Sequence, residues 1–225
     1  MRVAAVGWRD PKAQPILLGE RPEWRPIAAC GERGETGLDI VERVKAIVLR
    51  PAAEWRAIET ESGDTGYLFT NYVAILAAIP PVATFIRRVI IGAPGSRFGG
   101  HAHFGFFSSL FGAVLHYLAA FVVVYAMAMI IDALAPTFLA RKNQESAMKL
   151  AVYSLTPTWL AGVFALIPGL GFLRILGLYS LYVFWLGLPV LMRPPPDKTA
   201  PYAIATVGCV IVLWVVVTAV IGRGM

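Results

Sequence analysis

The sequence contains few charged residues for its length. Asp, Glu, Lys and Arg make up 15% of the 225 residues, and the apolar types make up 57%. A soluble domain has about 25% charged and about 45–50% apolar residues. The composition excludes an ordinary soluble globule, a disordered chain and a coiled coil. It indicates a protein of the lipid bilayer.

Acidic residues are especially scarce after residue 66. Residues 1–66 hold 10 Lys/Arg and 11 Asp/Glu, whereas residues 67–225 hold 10 Lys/Arg and only 3 Asp/Glu. The positive excess therefore belongs to the apolar part of the chain. Positive loops beside anionic lipid account for it, so we expect no nucleic acid partner.

The residue patterns of catalysis and cofactor binding are also missing. The sequence has no GxxxxGK loop, no GxGxxG fingerprint, no HExxH helix and no GxSxG turn. Its two cysteines, Cys30 and Cys209, have no CxxC partner and do not predict a disulfide. His101 and His103 form a pair without a nearby carboxylate or Cys, and a metal site needs three or four ligands. We expect no catalytic residue, no cofactor and no metal.

Residues 1–37 predict a disordered tail. They combine four prolines with mixed charge and show no helix or strand period and no apolar segment typical of a signal peptide. A mis-assigned start codon would give the same pattern. The alternative is a partner-binding arm with Trp8 and Trp24 as its anchors.

Residues 38–66 predict two short amphipathic helices on the cytoplasmic side. Apolar residues, Val44 and Ile47 among them, recur at spacings of three and four, and Pro51 opens a second helix that carries Trp55. The other side of the first helix is charged, with Glu42, Arg43 and Lys45. Two placements are open and compatible. The apolar face lies in the membrane interface, or it packs on the cytoplasmic end of the bundle.

From residue 67 onward the sequence predicts five transmembrane helices. A span needs about 20 mostly apolar residues. The expected spans are approximately residues 68–90, 106–131, 150–167, 172–192 and 202–221. Pro80 and Pro81 predict a kink in the first span, and the short turn 168–171 makes the third and fourth an antiparallel hairpin. The predicted fold class is all-α, a five-span membrane bundle (residues 67–225) preceded by the amphipathic segment.

The basic residues that flank the spans predict the orientation. With the N-terminus inside, nine Lys and Arg flank the inner ends of the spans and five flank the outer ends. Cytoplasmic loops carry the excess of Lys and Arg. This favours a membrane protein with its N-terminus in the cytoplasm and its C-terminus outside.

Ionisable residues at the span ends are the first candidate site, because charge is costly in a membrane. Asp132 closes the second span and Lys149 opens the third, so the hairpin between them makes an ion pair geometrically plausible. The pair would either fix the hairpin or take part in a proton or ion relay. Replacing Asp132 by Asn separates these interpretations, since only a relay role predicts lost transport at a normal protein level.

Other polar and small residues lie within the spans. His116 is expected to be neutral and to hydrogen-bond between helices, and an intramembrane Ser–His dyad is the alternative. Tyrosine hydroxyls are expected to satisfy backbone groups freed by prolines, and their residues are Tyr153, Tyr179 and Tyr182. A face of small residues indicates close helix packing or self-association, and it consists of Gly177, Ser180 and Gly187.

Six segments together suggest a family. They are Ile40-Val-Glu-Arg-Val-Lys-Ala-Ile47, Pro51 to Trp55, Ile130-Ile-Asp-Ala-Leu-Ala-Pro-Thr137, Ala151-Val-Tyr-Ser-Leu-Thr-Pro-Thr-Trp-Leu160, Leu178-Tyr-Ser-Leu-Tyr182 and Gly187-Leu-Pro-Val-Leu-Met192. This set resembles the bacterial branch of the YIP (Ypt/Rab-interacting protein) membrane family over about residues 38–221. A Tyr-x-x-x-Pro element, Tyr153 and Pro157, lies in the third span, where the family carries its own.

The resemblance implies five spans and a cytoplasmic N-terminus, and its bacterial branch implies a location in the bacterial inner membrane. Eukaryotic members contact prenylated Rab GTPases and shape membranes, but the aspartate-containing element of their cytoplasmic region is not recognisable in this sequence. Rab binding is therefore not implied. Residues 1–37 lie outside the family pattern.

Two functions follow as expectations. The first is a non-enzymatic membrane-organising or partner-scaffolding protein, with the lipid bilayer and either a protein partner or a second copy bound through the spans. The second is a small transporter or permease subunit gated at the Pro-kinked helices. A polar cavity at mid-membrane depth would favour the second function.

Overall fold

The computed structural model describes residues 38–61, 66, 68–91, 93–94, 101–102, 105–167 and 169–223. The predicted tail 1–37 lies outside these residues. Two helices open the described part, α1 (Leu38–Leu49) and α2 (Pro51–Thr60). Pro51 occupies the first turn of α2, where its missing N–H leaves no hydrogen bond unmade. We call α1 and α2 together the docked segment.

The first apolar run is broken into short helical pieces. A π-helical turn, Leu68–Val73, leads into α3 (Ala74–Leu76), and α4 (Ile79–Ile86) continues into a second π-helical turn, Arg87–Ile91. Pro80 and Pro81 lie in the first turn of α4, so the helix breaks just before them. The predicted kink is confirmed. A two-residue antiparallel pair, Ala93–Pro94 with His101–Ala102, follows.

The helix α5 (Phe106–Leu134) is the longest in the described chain and is uninterrupted. A 3-10 turn, Pro136–Phe138, leads from it to the next helix. The turn ends at Leu139 in the left-handed conformation with φ 57°. Asn143 caps the following helix, since its side-chain oxygen accepts a hydrogen bond from the N–H of Ser146 at 3.2 Å.

The central helix is α6 (Gln144–Ala161), extended by a 3-10 turn, Gly162–Ala165. Most of its side chains are buried, and it contacts α1, α4, α5 and α7. The 3-10 turn packs closely on α4, because a Cβ at Gly162 would lie 2.6 Å from Pro80 Cγ. The most polar of the expected spans is therefore shielded by its neighbours.

The chain then returns antiparallel to α6, as the hairpin prediction requires. Gly169 in the connection has φ +88°, a backbone conformation that favours glycine. A 3-10 segment, Gly171–Leu178, continues directly into α7 (Tyr179–Leu191). The last helix, α8 (Pro196–Arg223), packs mainly on α5, and Tyr202 near its start donates a hydrogen bond to Ile131 O at 2.6 Å.

Four helical stretches in the described chain are long and apolar enough to cross a membrane: Thr70–Ile90, Phe106–Leu134, Gly171–Leu191 and Pro196–Val220. They correspond to the first, second, fourth and fifth expected spans. The third expected span falls on α6, which begins with Gln144 and Glu145 and carries Lys149. The architecture is thus an all-helical bundle with four candidate spans around a buried and more polar helix.

Candidate functional site

The docked segment is held on the bundle by Trp55. The Trp55 side chain is fully buried, and its indole N–H donates a hydrogen bond to the carbonyl oxygen of Val183 in α7 at 3.0 Å. Ile47 and Ile58 are also fully buried, and Val44 is half-buried against the same core. The apolar face therefore packs on the bundle, which is the second of the two placements that the sequence leaves open.

A glycine makes room for the Trp55 ring. A Cβ at Gly187 would lie 2.5 Å from Trp55 Cε2 and 2.7 Å from Leu150 Cδ1. Contacts this short are sterically forbidden, so only glycine admits the ring between α6 and α7. The two other members of the small face also pack within the chain. Gly177 lies against Thr158, and the hydroxyls of Ser180 and Thr158 are 2.8 Å apart. Helix packing thus accounts for the whole small face.

A charged and aromatic cluster joins the docked segment to α6. Arg43 bonds Glu54 and Glu61 at 2.5 Å each, and its guanidinium lies 5.9 Å from the centre of the Tyr153 ring. The Tyr153 ring meets Trp55 edge-on at 6.3 Å and Tyr72 edge-on at 5.0 Å between ring centres. Such contacts add to the energy of burial alone. Tyr153 therefore contacts both the docked segment and the first apolar run, and it connects the two.

Sequence reasoning places Arg43 on the solvent side of α1, and the structure corrects this. Arg43 lies three residues after Ile40 and four before Ile47, which is the spacing of one helix face. Because Arg43 is charged, the sequence pattern assigns it to the solvent side despite this spacing. Burial alone would lower the pKa of Arg43, but the hydrogen bond to Glu61 and the electrostatic effects of Tyr153, Glu61 and Glu54 raise it above its ordinary value. The guanidinium therefore stays charged at physiological pH.

The predicted Asp132–Lys149 pair does not form. The Lys149 ammonium is buried and bonds Glu145 at 2.8 Å and the backbone oxygen of Glu61 at 2.5 Å. Asp132 lies 4.0 Å from Lys142 instead. Glu145 lies one helical turn before Lys149 on α6, and the carbonyl of Glu61 lies at the end of α2, so both are closer partners than Asp132. Lys149 thus connects α6 to the docked segment rather than to α5.

The two remaining tyrosine candidates, Tyr179 and Tyr182, lie in the first turn of α7. The Tyr179 hydroxyl donates to Val48 O in α1 at 3.0 Å, so it holds the docked segment instead of a backbone group freed by proline. Tyr182 is exposed, and its ring lies 5.5 Å from that of Tyr179. Beside Pro157, the Thr158 N–H donates to the Ser180 hydroxyl at 3.1 Å. A serine hydroxyl, rather than the expected tyrosine hydroxyl, therefore bonds the backbone N–H next to Pro157.

We call the end of the bundle that holds Lys149, Glu61 and Arg193 the Lys149 end. Arg193, after α7, bonds Glu59 of α2 there. The opposite end, where α5 begins and the 3-10 segment Gly171–Leu178 lies, is the Arg174 end. The docked segment and the α5–α6 and α7–α8 connections thus share one end of the molecule.

A cavity of about 750 Å³ lies between α5, α6, α7 and α8. Most of its lining is apolar. Its polar residues are His116, Ser154, Thr158, Arg174, Ser180, Thr206 and Thr218. Thr206 is fully buried, and its hydroxyl has no hydrogen-bond partner among the described residues. Pockets of about 300–1,000 Å³ are the usual size for organic ligands.

His116 lies on the wall of this cavity. Arg174 and Arg88 both lie within electrostatic range of its ring. The expected hydrogen bond from His116 to another helix is not among the bonds seen in the described part of the chain. No group of three or more His, Cys, Asp or Glu residues that could hold a metal is present among the described residues. His101 lies in the two-residue strand pair, and His103 lies outside the described residues.

Comparison with known proteins identifies the family. The Yip1 domain model matches residues 45–217, which include α2, Tyr72, Tyr153 and all but one of the residues that line the cavity, but not Arg43. The chain belongs to the Yip1 domain family. The resemblance seen in the sequence is thereby confirmed.

Two curated relatives of this Yip1 protein are the inner membrane protein YohC of Escherichia coli strain K12 and YohC of strain O6:H1. Each is 26% identical over 172 residues, which cover 74% of this chain and 87% of the relative. No solved structure matches the chain significantly. The Yip1 match begins within α1, so Trp55 and its glycine seat both lie inside the family domain.

Proposed function

We propose that this Yip1 protein is a non-enzymatic scaffold. It presents the exposed surface of the docked segment, which we call the platform, as a rigid cytoplasmic surface on a membrane bundle. There it binds a protein partner or organises the membrane. The observation that carries the proposal is the buried Trp55 with its hydrogen bond to Val183 O. A short helix that only floated in the lipid interface would not need this buried contact. The bundle thus holds the docked segment in one orientation.

The exposed surface of the docked segment carries charges of both signs beside the apolar residues Val41 and Leu49. Glu42, Lys45 and Arg56 are exposed on it, on the side away from the buried Ile47 and Trp55. Charges of both signs on one surface fix the register of a partner more than they add affinity. The platform is therefore suited to specific, moderate binding at the membrane surface.

We propose five membrane spans, with α6 and its 3-10 extension as the third. These elements have 18 and 4 residues, and at about 1.5 Å and about 2.0 Å rise per residue they are long enough for the hydrocarbon core of about 30 Å. The polar residues Lys149, Ser154 and Thr156 of α6 need no contact with lipid, since they are buried. The exposed Gln144 and Glu145 lie in its first turn.

The proposed orientation places the Lys149 end in the cytoplasm and the C-terminus outside, in a bacterial inner membrane. The distribution of Lys and Arg supports it, with nine on the inner flanks and five on the outer. The name of YohC, an inner membrane protein, supports the same location.

Photo-crosslinking in living cells tests the scaffold. A photoreactive amino acid replaces Lys45 or Arg56 on the platform, and replaces the lipid-facing Val212 as the matched control. We expect a discrete protein adduct, or a dimer of this chain, at the platform positions only. The adduct should disappear when Trp55 is also changed to Ala. Adducts of the same size at Val212, or none at Lys45 and Arg56, would contradict the proposal.

A small carrier is the second candidate, and the buried hydroxyls of the cavity favour it. Ser154, Ser180 and Thr206 line the cavity and are buried. Hydroxyls at this depth could bind a polar solute. Uptake or efflux that is abolished by Thr206→Val at normal protein level would support the carrier, whereas unchanged flux would leave the scaffold as the better account.

A further inference from the structure

We infer that the cavity is a binding site for an anionic phospholipid, with the phosphate beside Arg174 and His116 and an acyl chain in the apolar interior. The inference is independent of the platform. It depends on three features of the Arg174 end, namely the distribution of acidic residues, the position of Arg174 and the composition of the cavity rim.

Among residues 68–91, 105–167 and 169–223, which the structure describes, every acidic side chain lies away from the Arg174 end of the bundle. Residues 67–225 contain three acidic residues, Asp132, Glu145 and Asp197. All three lie at the Lys149 end, each within 4.0 Å of a lysine. No carboxylate among the described residues lies within ion-pair distance of Arg174. Among the described residues no carboxylate competes for the Arg174 guanidinium, which can therefore bind an external anion.

Arg174 lies close to one end of a candidate span, where a long basic side chain reaches the lipid headgroups. It is the fourth residue of the candidate span Gly171–Leu191, and it lines the cavity together with His116. A guanidinium can donate two parallel hydrogen bonds to one phosphate, and imidazole can donate a third. Lysines at this site would lack the bidentate geometry.

The cavity opens toward the lipid through an apolar rim. Ile175 and Leu178 form one side of the opening and Ile211 and Trp214 the other, and all four are exposed. The α8 helix packs mainly on α5 and makes little contact with α7, which leaves the opening between them. A lipid can enter sideways through such a gap, whereas a water-soluble anion would have to pass exposed apolar side chains.

Native mass spectrometry tests the site with defined lipids. The full chain is placed in nanodiscs of phosphatidylglycerol and phosphatidylcholine in equal amounts, with identical acyl chains, and the lipids that stay bound after release are counted. We expect a preference for phosphatidylglycerol of roughly tenfold. Arg174→Gln should abolish the preference and Arg174→Lys should retain part of it. Arg141→Gln, an exposed arginine at the other end, is the matched control and should have no effect.

Two further experiments distinguish a lipid bound in the cavity from an anion bound at the surface. Ala119 and Val217 line the cavity, so Ala119→Phe and Val217→Phe should each reduce the retained lipid. Glycerol 3-phosphate, which has the headgroup chemistry without a chain, should not displace phosphatidylglycerol. Equal retention of the two lipids by the wild type, equal loss in Arg141→Gln, unchanged retention in both cavity-filling variants, or displacement by glycerol 3-phosphate would overturn the proposal.

Discussion

At the residue scale, one steric pair decides how the N-terminal segment meets the membrane domain. Trp55 is the largest fully buried side chain, and Gly187 provides the space beside it. Helices approach closely in membranes where small residues lie between them. Here the small residue admits an indole from outside the membrane bundle. The glycine therefore couples the docked segment to the spans.

Adding one methyl group at Gly187 should disturb this coupling. Gly187→Ala is expected to lower the stability by about 1–3 kcal/mol, because a new Cβ would overlap the Trp55 ring and overpack the core. Thermal unfolding in detergent, followed by tryptophan fluorescence, measures the change.

Gly208→Ala is the matched control for this variant. Gly208 lies within α8 with no atom inside 4 Å of its Cβ position, so alanine there should be neutral or raise stability by up to about 1 kcal/mol. Equal melting temperatures for the two variants would show that Gly187 does not have the predicted role.

At the element scale, α6 is the helix on which the topology depends. It is central, buried and more polar than the other helices of the bundle. Its polar residues are satisfied within the protein, since Lys149 bonds Glu145 and the carbonyl of Glu61. A helix enclosed in this way can cross a membrane without being strongly apolar.

Cysteine labelling from the two sides of the membrane tests whether α6 crosses it. In a background with Cys30 and Cys209 changed to Ser, single cysteines replace Lys142, before α6, and Gly171, after it. Both positions are exposed, and a Cβ at Gly171 would meet no atom within 4 Å. Five spans predict that a membrane-impermeant maleimide labels Gly171→Cys from outside and Lys142→Cys only after permeabilisation.

The same experiment has an internal reference. Lys198→Cys, at the start of α8, should behave as Lys142→Cys does, because both connections lie at the Lys149 end. Labelling of Lys142→Cys and Gly171→Cys from the same side would show that α6 does not cross, and the chain would then have four spans.

The helical elements can largely be predicted from the sequence, because hydropathy and proline positions determine them. The four apolar stretches, the break before Pro80 and the hairpin after α6 could all be predicted, because each depends on local composition. Side-chain partners could not be predicted in the same way. Lys149 had two acidic residues within reach, and only the three-dimensional course of α2 brought Glu61 O to it. The role of Arg43 could not be predicted because a charged residue is normally assigned to the solvent side, even where its spacing from Ile40 and Ile47 places it on the buried face.

At the scale of the whole molecule, the two ends of the bundle differ in chemistry. The Lys149 end carries paired charges, with Arg43 and Arg193 bonded to glutamates of the docked segment. At the Arg174 end, Arg174 has no carboxylate within ion-pair distance among the described residues. The first end is thus built for contacts between parts of the protein, and the second is free to interact with lipid.

Double electron–electron resonance measures whether the docked segment is held rigidly on the bundle. Spin labels at Lys45→Cys on α1 and Lys198→Cys on α8, in the chain without its native cysteines, report the distance between the platform and the bundle in nanodiscs. Both positions are exposed. We expect one narrow distance distribution for the wild type and a broad one for Trp55→Ala. Trp185→Ala, which removes an exposed tryptophan, should leave the distribution narrow. A broad distribution in the wild type, or a narrow one that persists in Trp55→Ala, would contradict the account.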